Sequence, residues 1–558
     1  SVRLQRSVLS AALCALLLRR REPSQKGFFA AFNRWFARQM DRYTAFTPTL
    51  MRHVARTGVF VAVVLGVIFV VWRKLPAGFL PEEDQGYVMV MVSTPEASSL
   101  QVTRQAMADA DAVIRTLPEV ASTSFAAGFN MMAGIASRDS DYSDRRLSAM
   151  PIAQRLTGEL YVAVPGAECY AFIPPSIPGL GVTSGVSVEV QDLEGRGTAY
   201  LQEQSERLMD SLRKLPSVAS VTTQFNAGVP QRRLRIDKEQ ALASGVDLGV
   251  LYGDLTTLLG GAYVNNFSRF GKLYQTYIQA APAYRMDKRS LDSYYVASSS
   301  GESVPVSSLV EVVDTVGVEY VSQFNLYRSI GLTVTPAARA STTTVMQDIT
   351  RTAAQVLPDD VGTAWSGTSF QEANASKTGG LVYLLALVFV FLALAALYES
   401  WGLPLAILMS VPVAVLGAVL FIGVSHLLNA FYVNDIYMQI SLVMLIGLAA
   451  KNAILVVEYA DRLFNEQGAS LMDAAIGAAK LRVRPIIMTA FAFILGVMPL
   501  IFASGVYATA RNIMGVALVG GMLFATLLGI FVYPALYYFV GRIGGFERRR
   551  ERKKQEQS

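Results

Sequence analysis

Residues 438–459 read MQISLVMLIGLAAKNAILVVEY, an apolar run with Lys451 about mid-span and Asn452 beside it. An ammonium at that depth costs roughly 2.5–3.5 kcal/mol on insertion scales, so it is expected to face a partner inside a helical bundle. Snorkelling to the interface is the plainer alternative, but snorkelling serves side chains near helix ends. The partner that the chemistry asks for is a carboxylate, and no other apolar run in the chain contains one. Read from this stretch outward, the fold is a membrane bundle carrying one half of an intramembrane charge device.

The composition agrees. The 558 residues are 52% hydrophobic and 16% charged, with a mean hydropathy of +0.36. Those values fit a membrane protein that keeps enough polar sequence for a large soluble portion. Runs at 58–72, 381–397, 404–424 and 437–459 and a closing hairpin, 486–503 with 513–540, are long enough to span a bilayer, six helices in all. The run 8–18 is too short to span alone and reads as the tail of one more helix. Basic residues cluster after it (Arg19, Arg20, Arg21), before the fifth full span (Lys480, Arg482, Arg484) and in the tail (Arg548, Arg549, Arg550, Arg552, Lys553, Lys554). Alternating polarity puts all three clusters on the cytoplasmic side and residues 77–377 on the other. These clusters account for the net charge of +6, and no nucleic-acid partner is needed to explain it.

Cys14 and Cys169 cannot sensibly pair, and His53 and His426 stand apart with no Cys/His cluster, so neither disulfides nor a metal are expected. No secretory signal peptide is recognisable. Residues 27–46 (GFFAAFNRWFARQMDRYTAF), with Phe28, Phe29, Phe32, Trp35 and Phe36 among Arg34, Arg38 and Arg42, read as an amphipathic helix in the cytoplasmic interface or as an ordinary linker helix.

The exported region repeats itself. Residues 86–94 (GYVMVMVST) alternate like a strand, a helical stretch follows, and Leu117-Pro118 precedes another strand-like piece. The same order returns from 185–191 (GVSVEVQ) to Leu215-Pro216, and a weaker third copy runs through 343–357 to Pro358. Strand–helix–strand units of this length are typical of small α/β sandwiches with ferredoxin-like topology. The stretch from about 238 to 316 interrupts the second unit, and its Gly-rich 260–280 (GGAYVNNFSRFGKLYQTYIQA) reads as an inserted sheet subdomain, either a docking surface or a structural insertion.

Five stretches taken together resemble the hydrophobe/amphiphile efflux branch of the resistance-nodulation-division (RND) transporters. They are FLPEEDQG (79–86), GGAYVNNF (260–267), YESW (398–401), IGLAAKNAILVVEYA (446–460) and RVRPIIMTAFAFILGVMPL (482–500). The resemblance covers nearly the whole chain but only the C-terminal half of such a protein. It implies a membrane α-helical bundle plus an α+β periplasmic domain. Residues 1–22 would be the end of a truncated transmembrane helix, 23–57 the interfacial helix and 58–76 a transmembrane helix. Porter subdomains would fill 77–237, an inserted docking subdomain 238–328, and the rest of the second porter subdomain 329–377. Five transmembrane helices (378–541) and a basic cytoplasmic tail (542–558) would complete it.

The implied function is proton-driven export of hydrophobic and amphiphilic small molecules by a homotrimer, working with a periplasmic adaptor and an outer-membrane channel. The proton motive force is the energy source and no cofactor is implied. Lys451 resembles the relay lysine that pairs with two aspartates, which would belong to a missing N-terminal half. Arg482 and Thr489 match the other relay positions, and Asn452 is their neutral neighbour. Without the family, Arg482 is equally a positive-inside residue and Thr489 a helix-packing threonine. Positions matching drug-contacting residues are Met89, Met91, Phe125, Phe129, Met131, Tyr170 and Phe172. The plainer reading of each is ordinary core, which strand alternation alone favours for Met89 and Met91, and the family position tips the balance to ligand contact.

The sequence departs from the family pattern in two places. After Gly134 it runs through SRDSDYSD (137–144) into Arg145, so the first unit is expected to lack a strand. Thr222 stands where relatives often carry a cleft arginine. Exporting a lipid or envelope component, or serving as a non-transporting scaffold, would use the same fold. No nucleophile–base set, phosphate loop or metal set points to an enzyme or to ATP.

Overall fold

The computed structural model describes residues 28–51, 54–81, 83–95, 98–128, 133–137, 149–177, 179–181, 184–337 and 340–546. The run 8–18, the clusters at 19–21 and 548–554, Cys14, Phe129 and Met131 therefore lie outside the described residues. Helix α1 (Phe28–Met51) buries Tyr43, Thr47 and Met51, and the Tyr43 hydroxyl donates to the Ile530 carbonyl at 2.9 Å. Its Arg34, Arg38 and Arg42, one stripe at i, i+4 and i+8, stay exposed. Helix α2 (Val54–Lys74) is a span ending in Arg73 and Lys74.

The first exported unit follows: β1 (Tyr87–Ser93), α3 (Leu100–Ile114), β2 (Val120–Phe125), β3 (Ala133–Ser137), α4 (Ala149–Ala163) and β4 (Glu168–Phe172). Its sheet runs β2-β3-β1-β4. Strand alternation turns Val88, Val90 and Val92 of β1 onto the two helices, where they pack with Met107, Ile114, Leu156 and Leu160. Leu156 is fully buried there. Leu156→Ala is expected to cost about 2–5 kcal/mol, read as a lowered thermal midpoint of the purified protein. Unchanged melting would mean that this layer contributes little.

The expected gap after Gly134 is corrected: β3 is present and pairs antiparallel with both β1 and β2. Its sequence, AGIAS, has little strand propensity of its own. Ladders on both edges satisfy its backbone, so tertiary pairing overrides propensity.

The second unit starts with β5 (Val186–Asp192), α5 (Thr198–Leu212) and β6 (Val218–Thr223). The chain then leaves along β7 (Val229–Ile236) and builds α6 (Lys238–Ala243), α7 (Leu248–Leu255) and the hairpin β8 (Ala262–Arg269) and β9 (Lys272–Ile278). The short pair β10 (Tyr295–Ala297) and β11 (Ser303–Pro305) precedes the return along β12 (Val310–Gly317). Because β7 pairs with β12, the insert begins at its ribbon, ahead of position 238. Asp237 and Asp247 cap its two helices by accepting from the Gln240 and Val250 amides. In the β8–β9 turn, Phe270 and Gly271 both have positive φ (53° and 72°), which suits a tight two-residue hairpin.

The chain re-enters the unit through β13 (Ser322–Phe324), β14 (Tyr327–Pro336), α8 (Thr342–Val356) and β15 (Val361–Trp365). Strands β6, β14, β5 and β15 lie side by side in the order that β2, β3, β1 and β4 take in the first unit. The weak third copy is therefore no third unit. Helix α8 and β15 are the second half of unit two, and α4 and β4 are their counterparts in unit one. Leu-Pro or Val-Pro follows all four helices, at Pro118, Pro165, Pro216 and Pro358, since the residue before proline is steered out of the helical region.

The remaining helices are α9 (Gly367–Tyr398), α10 (Gly402–Leu408), α11 (Val411–Leu428), α12 (Ile436–Asn465), α13 (Leu471–Ile501), α14 (Ala508–Leu527) and α15 (Gly529–Ile543). Among the described residues, six helices are long and apolar enough to cross a membrane, as the hydropathy pattern predicts. Glu399, in the left-handed region at φ 46°, ends α9, and α9 runs unbroken from the second α/β unit into the membrane. Its Ser369 hydroxyl accepts from the Ser187 amide, and its Glu372 carboxylate accepts from the Thr342 and Thr343 hydroxyls.

Candidate functional site

Helix α12 is capped by Asp435, which accepts from the Met438 amide, so its register along the membrane is set at its outer end. Its packed face carries Leu442, Leu445, Ala449, Asn452, Val456 and Ala460. On the other side Ile440, Met444, Gly447, Lys451 and Glu458 are exposed at helical spacing. Lys451 thus sits in the middle of a bare stripe and forms no ion pair among the described residues. Glu458 shares the stripe, but seven residues on a helix put it about 10 Å along the axis, beyond pairing distance.

Asn452, 1% exposed, points the other way into the bundle. The fully buried Tyr533 of α15 is its neighbour, and the Tyr533 hydroxyl donates to the Ala525 carbonyl at 2.7 Å, leaving the Asn452 amide nitrogen without a partner among the described residues. On α13, Arg482 is half-buried with its guanidinium 4.8 Å from the Tyr459 ring centre, a cation–π contact to α12. Its Nε is buried and finds no hydrogen-bond partner. Thr489 is exposed, and its hydroxyl turns back to the Ile486 carbonyl at 3.0 Å. Among the described residues, no hydrogen bond joins Lys451 to Arg482 or Thr489. What the structure brings together is Arg482 of α13 with Tyr459 of α12, and Asn452 of α12 with Tyr533 of α15, while Lys451 stands on a bare, largely apolar stripe of α12. Nothing in the sequence marks Tyr459 or Tyr533, because their roles depend on which helix faces which.

The second group of residues lies on the first α/β unit. On β1, Met89 and Met91 alternate with the buried valines and so project from the face opposite the helices. Opposite them in the β1–β4 ladder stand Phe172 and Tyr170 respectively. The two rings stack with centroids 5.7 Å apart and planes at 18°. Cys169 and Ala171, between and beside them, belong to the helix-side core. Two thioethers and two stacked rings therefore share one sheet face, a surface that can accommodate varied apolar shapes. Phe125 does not join them. It packs against the helix-side core with Val90, because its register partner Ala133 is the partner of Val90. Thr222 is exposed on β6, against the Thr333 carbonyl. A cleft of about 550 Å3 that the sequence did not suggest lies where β15 meets α9, lined by Phe324, Trp365, Phe370, Gln371 and Asn374.

Residues 6–541 match the model of the AcrB/AcrD/AcrF family. The toluene efflux pump membrane transporter TtgB of Pseudomonas putida is 35% identical over 556 residues, covering 96% of this chain and 52% of the relative. The antibiotic efflux pump membrane transporter ArpB of Pseudomonas putida is 36% identical over 555 residues, with the same coverage. The multidrug export protein AcrF of Escherichia coli is 32% identical over 556 residues, covering 96% of this chain and 53% of the relative. The chain spans about half the length of these curated relatives. All are transporters rather than enzymes. With six spans bracketing two large α/β units, and a family match over nearly its full length, the chain belongs to the AcrB/AcrD/AcrF family of RND efflux transporters, as a multi-pass inner-membrane protein with a large periplasmic region.

Proposed function

We propose that the chain acts in a drug:proton antiporter that exports hydrophobic and amphiphilic compounds from the periplasm and membrane. The observation that carries this reading is Lys451, an ammonium halfway along a membrane helix on a stripe that nothing described covers. In this reading, helices bearing the paired aspartates, supplied outside these 558 residues, cover the stripe. Protonation of the aspartates weakens their hold on Lys451, and Arg482, Thr489 and Asn452 adjust around the change. The two α/β units act as ferredoxin-like porter subdomains, the insert on β7 and β12 docks partners, and three copies work with a periplasmic adaptor and an outer-membrane channel. The names of the relatives, with toluene, antibiotic and multidrug among them, support the substrate class.

The test is export of a fluorescent amphiphile from cells carrying the native polypeptide. A protonophore should stop it at once while ATP depletion alone should not. Export that follows ATP would sink the reading. Failure to move any amphiphile while a labelled lipid is moved would favour a lipid exporter on the same fold.

Ligand contact is assigned to the Met89, Met91, Tyr170 and Phe172 face. Tyr170→Ala is expected to weaken binding of the amphiphile roughly tenfold, since a contacting aromatic contributes about 1–2 kcal/mol. Phe125→Ala, on the other face, should lower stability and leave affinity alone, as fluorescence titration beside a thermal melt would show. Equal loss of affinity in both would remove the assignment.

A further inference from the structure

Between α2 and β1 the chain crosses the outer ends of the membrane helices as a strap, and two of its own carboxylates, Glu83 and Asp84, tie it to the starts of two helices, while Asp435 caps a third helix beside it. Asp435 Oδ1 accepts from the Met438 amide at 2.8 Å at the head of α12. Glu83 Oε1 accepts from the Ala510 amide at 2.7 Å in the first turn of α14. Asp84 Oδ2 accepts from the Ala149 amide at 2.8 Å at the head of α4, in the first α/β unit.

Backbone bonds complete the strap. Asn434 donates to Pro76 at 2.9 Å, Gly78 to Asn434 at 3.2 Å, Ile436 to Phe79 at 3.1 Å and Tyr507 to Asp84 at 3.1 Å. On the side of the α/β unit, Gln85 donates to the Pro175 carbonyl and Ser176 to that of Pro81, both at 2.8 Å. The segment that resembles the family through FLPEEDQG is thus a joint, with two membrane helices on one side and an α/β unit on the other.

The joint carries an imbalance. Glu83 is 2% exposed and Asp435 is 0% exposed. Glu83 Oε2, Asp435 Oδ2 and Asn434 Oδ1 are all buried without a hydrogen-bond partner. All three are acceptors unless a carboxyl is protonated. Burial pushes the Asp435 carboxyl up to about 7, against the pull of the Met438 and Tyr437 amides, and the Glu83 charge adds to the rise. Burial also raises Glu83, which the Ala510 and Thr509 amides, the Thr509 hydroxyl and the Arg511 charge partly offset. The other groups facing the pair are Tyr437 and Tyr507. Arg511 turns its guanidinium to the Ser504 and Val506 carbonyls, and among the described residues no cation pairs with either carboxylate.

We propose that Asp435 holds a proton in this joint, with Glu83 as its acidic neighbour, and that releasing it loosens the strap that ties α12 and α14 to the first α/β unit. With the proton in place, the Asp435 hydroxyl is a donor in a joint whose unpartnered buried oxygens otherwise only accept. Without it, two like charges share a dry pocket. Because a folded-state value above the unfolded one favours the protonated fold, the joint is firm in acid and weakens as pH rises through about 7. Helix α12 then carries the change inward, with Lys451 sixteen residues, about 24 Å, further along the same helix. The inference goes beyond the antiport reading and its test needs no transport.

Hydrogen–deuterium exchange of the full chain in lipid nanodiscs tests it, at about pH 6 and about pH 8.5, either side of the expected midpoint. Rates are corrected for intrinsic chemistry and followed at the Met438 and Ala510 amides. Wild type should lose ~10-fold or more of its protection at the higher pH. Asp435→Asn should abolish that dependence, and Glu83→Gln should move its midpoint down by removing the repelling neighbour. Protection that ignores pH in wild type, or keeps its pH dependence in Asp435→Asn, overturns the proposal. Should Asp435→Asn fail to fold, the infrared carbonyl band of a protonated carboxyl decides. It must titrate near neutrality in wild type and shift in Glu83→Gln, and its absence overturns the proposal equally.

Discussion

Lys451→Met is expected to abolish export while leaving the amount of protein in the membrane unchanged or raised. The two halves of that expectation have one cause. Lys451 makes no ion pair among the described residues, so its loss breaks nothing in this part of the fold. Removing a mid-span ammonium also relieves an insertion cost of roughly 2.5–3.5 kcal/mol. Methionine keeps the length and apolar stem of the side chain and deletes only the charge that a protonating carboxylate could release. Immunoblotting of membranes beside an amphiphile accumulation assay checks both halves. A variant that is abundant but inactive supports the antiport reading, whereas wild-type export from Lys451→Met would end it and leave a scaffold role.

Gly417→Val is expected to be the most damaging single substitution to the fold of the bundle. Helices α11 and α14 cross there at the closest approach that two backbones allow. A Cβ on Gly417 would lie 2.4 Å from the Gly520 carbonyl oxygen and 2.5 Å from Phe524 Cβ. On the facing helix, a Cβ on Gly520 would lie 2.5 Å from Phe421 Cβ and 2.9 Å from the Gly417 oxygen. Backbone atoms cannot swing aside as a side-chain tip can, so the helices must separate and lose the packing that holds small residues together in lipid. Overpacking of this kind costs about 1–3 kcal/mol, and more where the obstacle is main chain. Size-exclusion profiles and thermal midpoints of the detergent-purified protein should show Gly417→Val aggregated or sharply destabilised. Gly66→Val is the control, since nothing lies within 4 Å of a Cβ there, and it should melt with wild type. Equal melting of the two would mean that the crossing tolerates separation.

Much of this could be read without coordinates, and the parts that could not share a reason. The membrane spans were legible because hydropathy over about twenty residues is a local property that the bilayer reads directly. The strand–helix–strand repeat was legible because each strand and helix carries its own periodicity and three of the four helices stop at Leu-Pro, but the repeat alone left the last helix as a third copy rather than as half of the second unit. Strand β3 was not legible: AGIAS has no periodicity to speak of, and its place is decided by the strands on either side. The sheet face of Phe125 was hidden likewise, because register is a relation between strands. Asp435 looks in sequence like any helix cap, and its character comes from its burial in the folded joint, to which the charge of Glu83, far away in the chain, adds.

By itself, the amino-acid sequence determined the membrane bundle, the paired α/β units with their insertion, the family, and the one lysine that has no business in lipid. These rest on composition, local periodicity and motif order, which need no knowledge of neighbours. Helix and strand packing is what sets Asn452 toward Tyr533 and Lys451 outward, lays Arg482 over Tyr459, and gathers Met89, Met91, Tyr170 and Phe172 on one sheet face without Phe125. It alone placed Glu83 and Asp435 in the same dry joint. Each of those facts depends on which elements pack together, and packing brings together residues that the chain itself keeps far apart.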